Sequence, residues 1–63
     1  TYFSSVTILT KNSGLADALS TALFTMPYEE GRAIIDSLED TEAIWIDKEG
    51  NIVYTDGVKP IDL

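Results

Sequence analysis

The 63-residue chain contains no cysteine and no histidine, so it offers neither a disulfide bridge nor the usual ligands of a structural zinc site. A domain of this size buries only about 60% of the surface of its unfolded chain, and small domains often depend on such additions. Stability must therefore come from packing or from a partner. The hydrophobic fraction of 44% and the charged fraction of 24% are typical of a globular chain.

Basic residues are also few, because four Lys and Arg stand against eleven Asp and Glu and give a formal net charge of -7. This charge repels phosphate backbones and anionic lipid surfaces, so nucleic acid is not expected as a partner. Apolar runs such as residues 43–46 fall far short of the roughly 18 residues that a membrane span needs. The chain starts at Thr1 and enters a strand-like segment almost at once, so we expect it to be a piece of a longer protein.

The pattern of apolar residues predicts a strand followed by a helix in the first half of the chain. Residues 3–10 are rich in β-branched and aromatic side chains and precede a turn cluster at 11–14. Asn12 or Ser13 is available as the N-cap of the helix, and Pro27 should end it near Met26. One helical stripe of apolar residues follows the cap: Leu15, Ala18, Leu19, Ala22, Leu23 and Met26.

A second helix and a hairpin are predicted after Pro27, which suits the first turn of a helix. The helix places Gly31, Ile34, Ile35 and Leu38 on its inward stripe. Residues 43–47 and 51–55 read as two strands joined by a turn that contains Gly50. The tail at 58–63 contains Pro60, which favours an edge position or an extended arm.

The predicted fold class is α+β, a two-layer β-α-α-β-β unit with two helices on a small, mostly antiparallel sheet, as a fragment of a larger domain. The second face of the sheet carries either Trp45 or the pair Ile44 and Ile46, with nothing left in the chain to cover it. Such a face invites a partner, and self-association of the fragment is expected. Trp45 and Tyr54 could stack a flavin or adenine ring, but packing is the favoured role for both.

The first helix has a second, polar side that carries a candidate metal site. Asp17, Ser20, Thr21 and Phe24 recur at spacings of three and four residues. Asp17 and Thr21 lie one turn apart and offer hard oxygen ligands to Mg²⁺. Alternatively this side is ordinary surface, with Ser20 and Thr21 bonded back to helix carbonyls.

Hydroxyl groups on the preceding strand form a weaker candidate set. Ser4, Ser5 and Thr7 lead into the first helix, and a hydroxyl there could face the same site. Strand pairing and packing are the favoured roles for these side chains.

Residues 15–24, Leu-Ala-Asp-Ala-Leu-Ser-Thr-Ala-Leu-Phe, preceded by Ser-Val-Thr-Ile at 5–8, resemble the C-terminal part of the ApbE family, the FAD:protein FMN transferases. The resemblance continues through Glu-Gly at 30–31, the 42–47 strand and Thr-Asp-Gly at 55–57, so residues 1–63 are interpreted as the C-terminal part of such a domain. It implies that Asp17 and Thr21 bind Mg²⁺. Catalytic residues and flavin-binding residues stay unassigned.

The resemblance also implies a reaction, in which FMN passes from FAD to a Thr hydroxyl of an acceptor flavoprotein and AMP leaves. Water in place of the acceptor would make the enzyme an FAD pyrophosphatase. Relatives are commonly lipoproteins anchored outside the cytoplasmic membrane, which implies the same location for the parent protein. The family's upstream flavin-binding segments are not present here, so the fragment alone is expected to be inactive. The rival hypothesis is a non-catalytic, acidic α+β interaction module.

Overall fold

The computed structural model describes residues 2–58, which form two helices packed on one three-stranded sheet. In chain order the elements are β1 (Phe3–Leu9), α1 (Ser13–Phe24), α2 (Tyr28–Asp36), β2 (Glu42–Asp47) and β3 (Ile52–Tyr54). This order confirms the predicted α+β, β-α-α-β-β unit. The arm predicted at 58–63 lies, apart from its first residue, outside the described residues. No helix within residues 2–58 combines the length and apolar character required to cross a membrane.

The sheet is antiparallel throughout residues 2–58, and β2 lies at its centre in the order β1-β2-β3. Trp45 of β2 pairs with Val6 on one side and Val53 on the other. The register of β1 shifts between Phe3 and Ser5. Such a bulge bends the strand and increases its twist.

Helix α1 begins where a side-chain cap satisfies its first backbone amides. The Asn12 side chain accepts a hydrogen bond of 2.9 Å from the backbone N–H of Leu15, as expected of an N-cap residue. The helix ends at Phe24, two residues before the predicted end at Met26. Pro27 occupies the N-cap of α2 and not its first turn. Glu29 and Glu30 follow in that turn, where negative charge is stabilised by the helix dipole.

The core lies between the two helices and one face of the sheet. Trp45 lies at the centre of this core and is 1% exposed. Its ring meets the ring of Tyr28 edge to face, with the ring centroids 4.8 Å apart. This burial agrees with the packing role predicted for Trp45. The buried apolar residues are Phe3, Leu19, Leu23, Ile35, Ala43 and Trp45. Ala18, which the sequence placed in the inward stripe, is exposed, because the stripe follows residues 19 and 23 and leaves position 18 at its margin.

The opposite face of the sheet is left uncovered within residues 2–58. Since Trp45 points to the helices, its neighbours Ile44 and Ile46 belong to this second face, which resolves the alternative left open by the sequence. Ile52 and Tyr54 pair with them and are 60% and 41% exposed. Tyr54 was predicted to pack in the core or against another domain. It lies on the face that neither helix covers, so the core role is wrong, and packing against another domain stays a prediction.

One polar cluster joins the segments around β2 and β3, and a second one lies along α2. Thr55 is 1% exposed; its hydroxyl accepts the Ala43 N–H at 3.0 Å and donates to the Glu42 carboxylate. The N–H of Gly57 donates to the same carboxylate at 3.1 Å. The Arg32 guanidinium of α2 donates to the Tyr28 hydroxyl and to Asp36, and these bonds raise the pKa of Arg32. A cation held in this way keeps its charge and stiffens the surface of α2.

Candidate functional site

The candidate site lies on the side of α1 that faces away from the core. Leu19 and Leu23 are buried on the inner side of the helix, and this fixes the rotation of α1 about its axis. Asp17 and Thr21 consequently lie on the outer side, one turn apart, and both are exposed. Two hard oxygen donors are thus brought to the surface of a single rigid element.

The hydroxyl groups of this side bond to the backbone of the same helix. Ser20 Oγ and Thr21 Oγ1 both donate to the main-chain oxygen of Asp17, at 3.0 Å and 3.1 Å. These bonds are the ones predicted by the alternative interpretation, in which this side of α1 is ordinary surface. They do not remove the capacity to bind a cation, because a hydroxyl that donates its proton keeps its lone pairs as acceptors. The Thr21 oxygen therefore remains an available ligand atom.

The carboxylate of Asp17 forms no hydrogen bond and no ion pair with other side chains of the region 2–58. Together with Thr21 it matches the chemistry that Mg²⁺ prefers, since this ion takes oxygen ligands and commonly binds through one or two protein groups. No group of three or more His, Cys, Asp or Glu able to hold a metal occurs among the described residues.

An open depression of about 380 Å³ lies beside this pair, between α1 and β1. Its lining residues are Ser5, Val6, Ser20, Thr21, Phe24 and Thr25. Thr21 belongs both to the depression and to the candidate metal pair. Phe24, half-buried, also packs against the core. The aromatic residue on the polar side of α1 thus forms part of a concave surface.

The register of β1 places Ser5 and Thr7 opposite Ile46 and Ile44, on the uncovered face of the sheet. Ser5 also borders the depression. Ser4 lies at the bulge, where its hydroxyl donates to the main-chain oxygens of residues 46 and 47 at 3.2 Å and 3.1 Å. Sequence analysis missed Thr25, although its position four residues after Thr21 places it on the same side of the chain.

A model of the ApbE family matches residues 1–45, which is 45 of the 63 residues and includes both Asp17 and Thr21. The chain belongs to the ApbE family. This is a family of flavin transferases associated with FAD as substrate, and the chain is a fragment of such an ApbE domain. The ApbE match ends at Trp45, so the assignment of residues 46–63 to the same domain stays a prediction. No curated protein and no solved structure matches the chain.

Proposed function

We propose that this chain supplies part of the Mg²⁺ site of an FAD:protein FMN transferase. The observation that carries the proposal is the pair formed by Asp17 and Thr21. Both are exposed, one turn apart, on a helix that lies within the segment matching the ApbE family. The donor set agrees with the metal: one carboxylate without a partner in the described part of the chain and one hydroxyl with free lone pairs.

In this proposal the two residues bind the ion and the helix holds them in place. Bound Mg²⁺ would neutralise negative charge on the FAD pyrophosphate as FMN passes to a Thr hydroxyl of an acceptor flavoprotein and AMP leaves. Thr21 keeps its orientation through the hydrogen bond to the Asp17 main-chain oxygen. The Thr21 hydroxyl therefore enters the reaction already positioned, which lowers the entropic cost of organising the site.

The 63-residue chain by itself should be inactive under this proposal. Positioning a dinucleotide requires more than one helix face with two oxygens, and the remaining contacts would come from the longer protein. We also propose that the parent works outside the cytoplasmic membrane as an anchored lipoprotein, which rests on family resemblance alone.

Two other functions are alternatives to this proposal. An FAD pyrophosphatase would use the same residues with water as the acceptor, and the choice depends on what the rest of the parent admits. A non-catalytic interaction module is favoured by a different observation, the uncovered sheet face with Ile52 60% exposed. Such a module would be indifferent to Mg²⁺ and to flavin.

The proposal is tested by transfer of FMN from FAD to an acceptor protein, using the full-length protein that carries this chain. Asp17→Asn and Thr21→Val should each lower the Mg²⁺-dependent rate by about two orders of magnitude or more, since each removes a metal ligand. Thr21→Ser keeps the oxygen and should retain most of the activity. Glu39→Gln, which changes an exposed acid outside the site, serves as the matched control.

Wild-type rates in Asp17→Asn would remove the pair from the mechanism. Equal losses in Thr21→Ser and Thr21→Val would also contradict a ligand role for the hydroxyl. AMP release without FMN transfer would favour the pyrophosphatase, and no response to Mg²⁺ or FAD would favour the interaction module.

A further inference from the structure

The depression beside Thr21 has a chemical character distinct from that of the metal pair. None of its six lining residues is charged, and Val6 and Phe24 supply its apolar surface. A phosphate group is bound in proteins by cationic side chains, by N–H or O–H donors, or through a metal ion. An uncharged lining in which most hydroxyl protons already bond to helix carbonyls is a poor match for phosphate and a better match for a neutral part of a ligand.

Three of the four hydroxyl groups that line the depression, those of α1 and its C-cap, have already used their protons. Ser20 and Thr21 donate to the main-chain oxygen of Asp17, and Thr25 donates to that of Ala22 at 3.0 Å. These three oxygens therefore present lone pairs and act toward a ligand as acceptors. The complementary ligand must bring several hydrogen-bond donors on a compact scaffold with C–H surface for Val6 and Phe24.

We propose that the depression binds the sugar portion of the dinucleotide, the hydroxyl-bearing chain or ring that adjoins the pyrophosphate. This inference rests on the proposed function, because Thr21 joins the depression to the metal pair and a pyrophosphate held there brings its attached sugar to the depression. Sugar hydroxyls supply the donors, and sugar C–H groups contact Val6 and Phe24. The volume of about 380 Å³ falls within the range of small-molecule pockets.

Both the ribityl chain of FMN and the ribose of AMP have this chemistry, and the experiment separates them. Dissociation constants for FMN, AMP and inorganic pyrophosphate are measured by calorimetry with Mg²⁺ on the full-length protein. Ser20→Ala and Thr25→Val each remove one acceptor and should raise the dissociation constant of either FMN or AMP by about threefold to tenfold. Binding of inorganic pyrophosphate, which has no sugar, should change less than twofold.

Ser37→Ala is the matched control, since the Ser37 hydroxyl also donates to a carbonyl of its own helix, that of Ile34 at 2.6 Å, but lies outside the depression. It should leave all three dissociation constants unchanged. Loss of FMN binding alone assigns the ribityl chain, and loss of AMP binding alone assigns the ribose. Unchanged binding of both nucleotides, or an equal loss for pyrophosphate, would overturn the assignment.

A second measurement separates this inference from the proposed function. Riboflavin and adenosine carry the sugar groups without phosphate, so their binding in the presence of a chelator does not depend on Asp17. Weaker binding of either one in Ser20→Ala, with no change in Asp17→Asn, supports the depression even if FMN transfer is not observed. If riboflavin and adenosine bind more weakly only in Asp17→Asn, the depression does not bind the sugar. That result would not contradict the proposed metal site.

Discussion

Gly31 of α2 packs directly against the fully buried side chain of Leu23 in α1. A Cβ atom on Gly31 would lie 3.0 Å from Leu23 Cγ and 3.6 Å from Cζ2 of Trp45, closer to Leu23 than ordinary van der Waals contact. Both neighbours are buried, with exposed fractions of 0% and 1%. The absence of a side chain at position 31 therefore sets how closely the two helices approach above Trp45.

Gly31→Val is expected to lower the free energy of unfolding by about 2 kcal/mol, because the added methyl groups overpack a core that has no room to move. Urea unfolding followed by the fluorescence of Trp45 measures the change. Gly14→Ala is the matched control: a Cβ there would meet only the Asn12 side chain at 3.4 Å. Since Ala favours a helix over Gly, the control should stabilise the chain by about 0.5–1 kcal/mol. If Gly31→Val were as stable as the unsubstituted protein, the packing argument would be contradicted.

Thr55 provides a second test, since its buried hydroxyl joins the chain after β3 to β2. Thr55→Val keeps the shape of the side chain but leaves the N–H of Ala43 without its acceptor and the Glu42 carboxylate without one of its donors. We expect a loss of about 1–3 kcal/mol in the free energy of unfolding. Thr7→Val, an exposed position on the uncovered face, should change it by less than about 0.5 kcal/mol. Similar effects of the two substitutions would refute the role of the buried hydroxyl.

The hairpin between β2 and β3 should depend on pH through Asp47. The side-chain amide of Asn51, and then backbone N–H groups of residues 49–51, donate to Asp47 and hold its pKa below the ordinary value of 3.8. Because the pKa is lower in the folded chain, the stabilisation is fully present above pH 3.8 and is lost as the pH falls through the lowered pKa. Asn51→Ala should move the pKa of Asp47 back toward 3.8.

An NMR titration of the Asp47 carboxyl carbon measures this pKa shift in the unsubstituted protein and in Asn51→Ala. Glu49→Gln is the control, since its exposed side chain lies in the same turn and only its backbone N–H contacts Asp47. The control should leave the Asp47 titration in place. If the titration curves of the unsubstituted protein and Asn51→Ala coincided, the Asn51 amide would not stabilise the Asp47 carboxylate.

Most of the fold could be predicted from local pattern. The stripe through Leu19 and Leu23 and the stripe through Ile34 and Ile35 identified both helices, and the Gly50 turn identified the hairpin. The errors lie where neighbouring elements compete. Ala18 has the right spacing for the inward stripe, but α1 contacts the sheet over too narrow a strip to cover it.

The site could be predicted in part for the same reason. Asp17 and Thr21 are one helical turn apart in any α-helix, so their proximity needed only the assignment of the helix. The depression beside them joins α1 to β1, and Val6 enters it because the strand register turns that side chain toward the helices. Register depends on long-range pairing with β2, which local pattern does not reveal.

Periodicity and residue chemistry alone determined which segments became helices and strands and which oxygens share one side of α1, because these features depend on spacings of four residues or fewer. Tertiary structure alone decided that Trp45 points to the helices while Ile44 and Ile46 face outward, and that the Thr55 hydroxyl reaches the Glu42 carboxylate 13 residues away. A shift of one residue in strand pairing would exchange the two faces of β2, and only the packing of both helices on one side of the sheet selects between them.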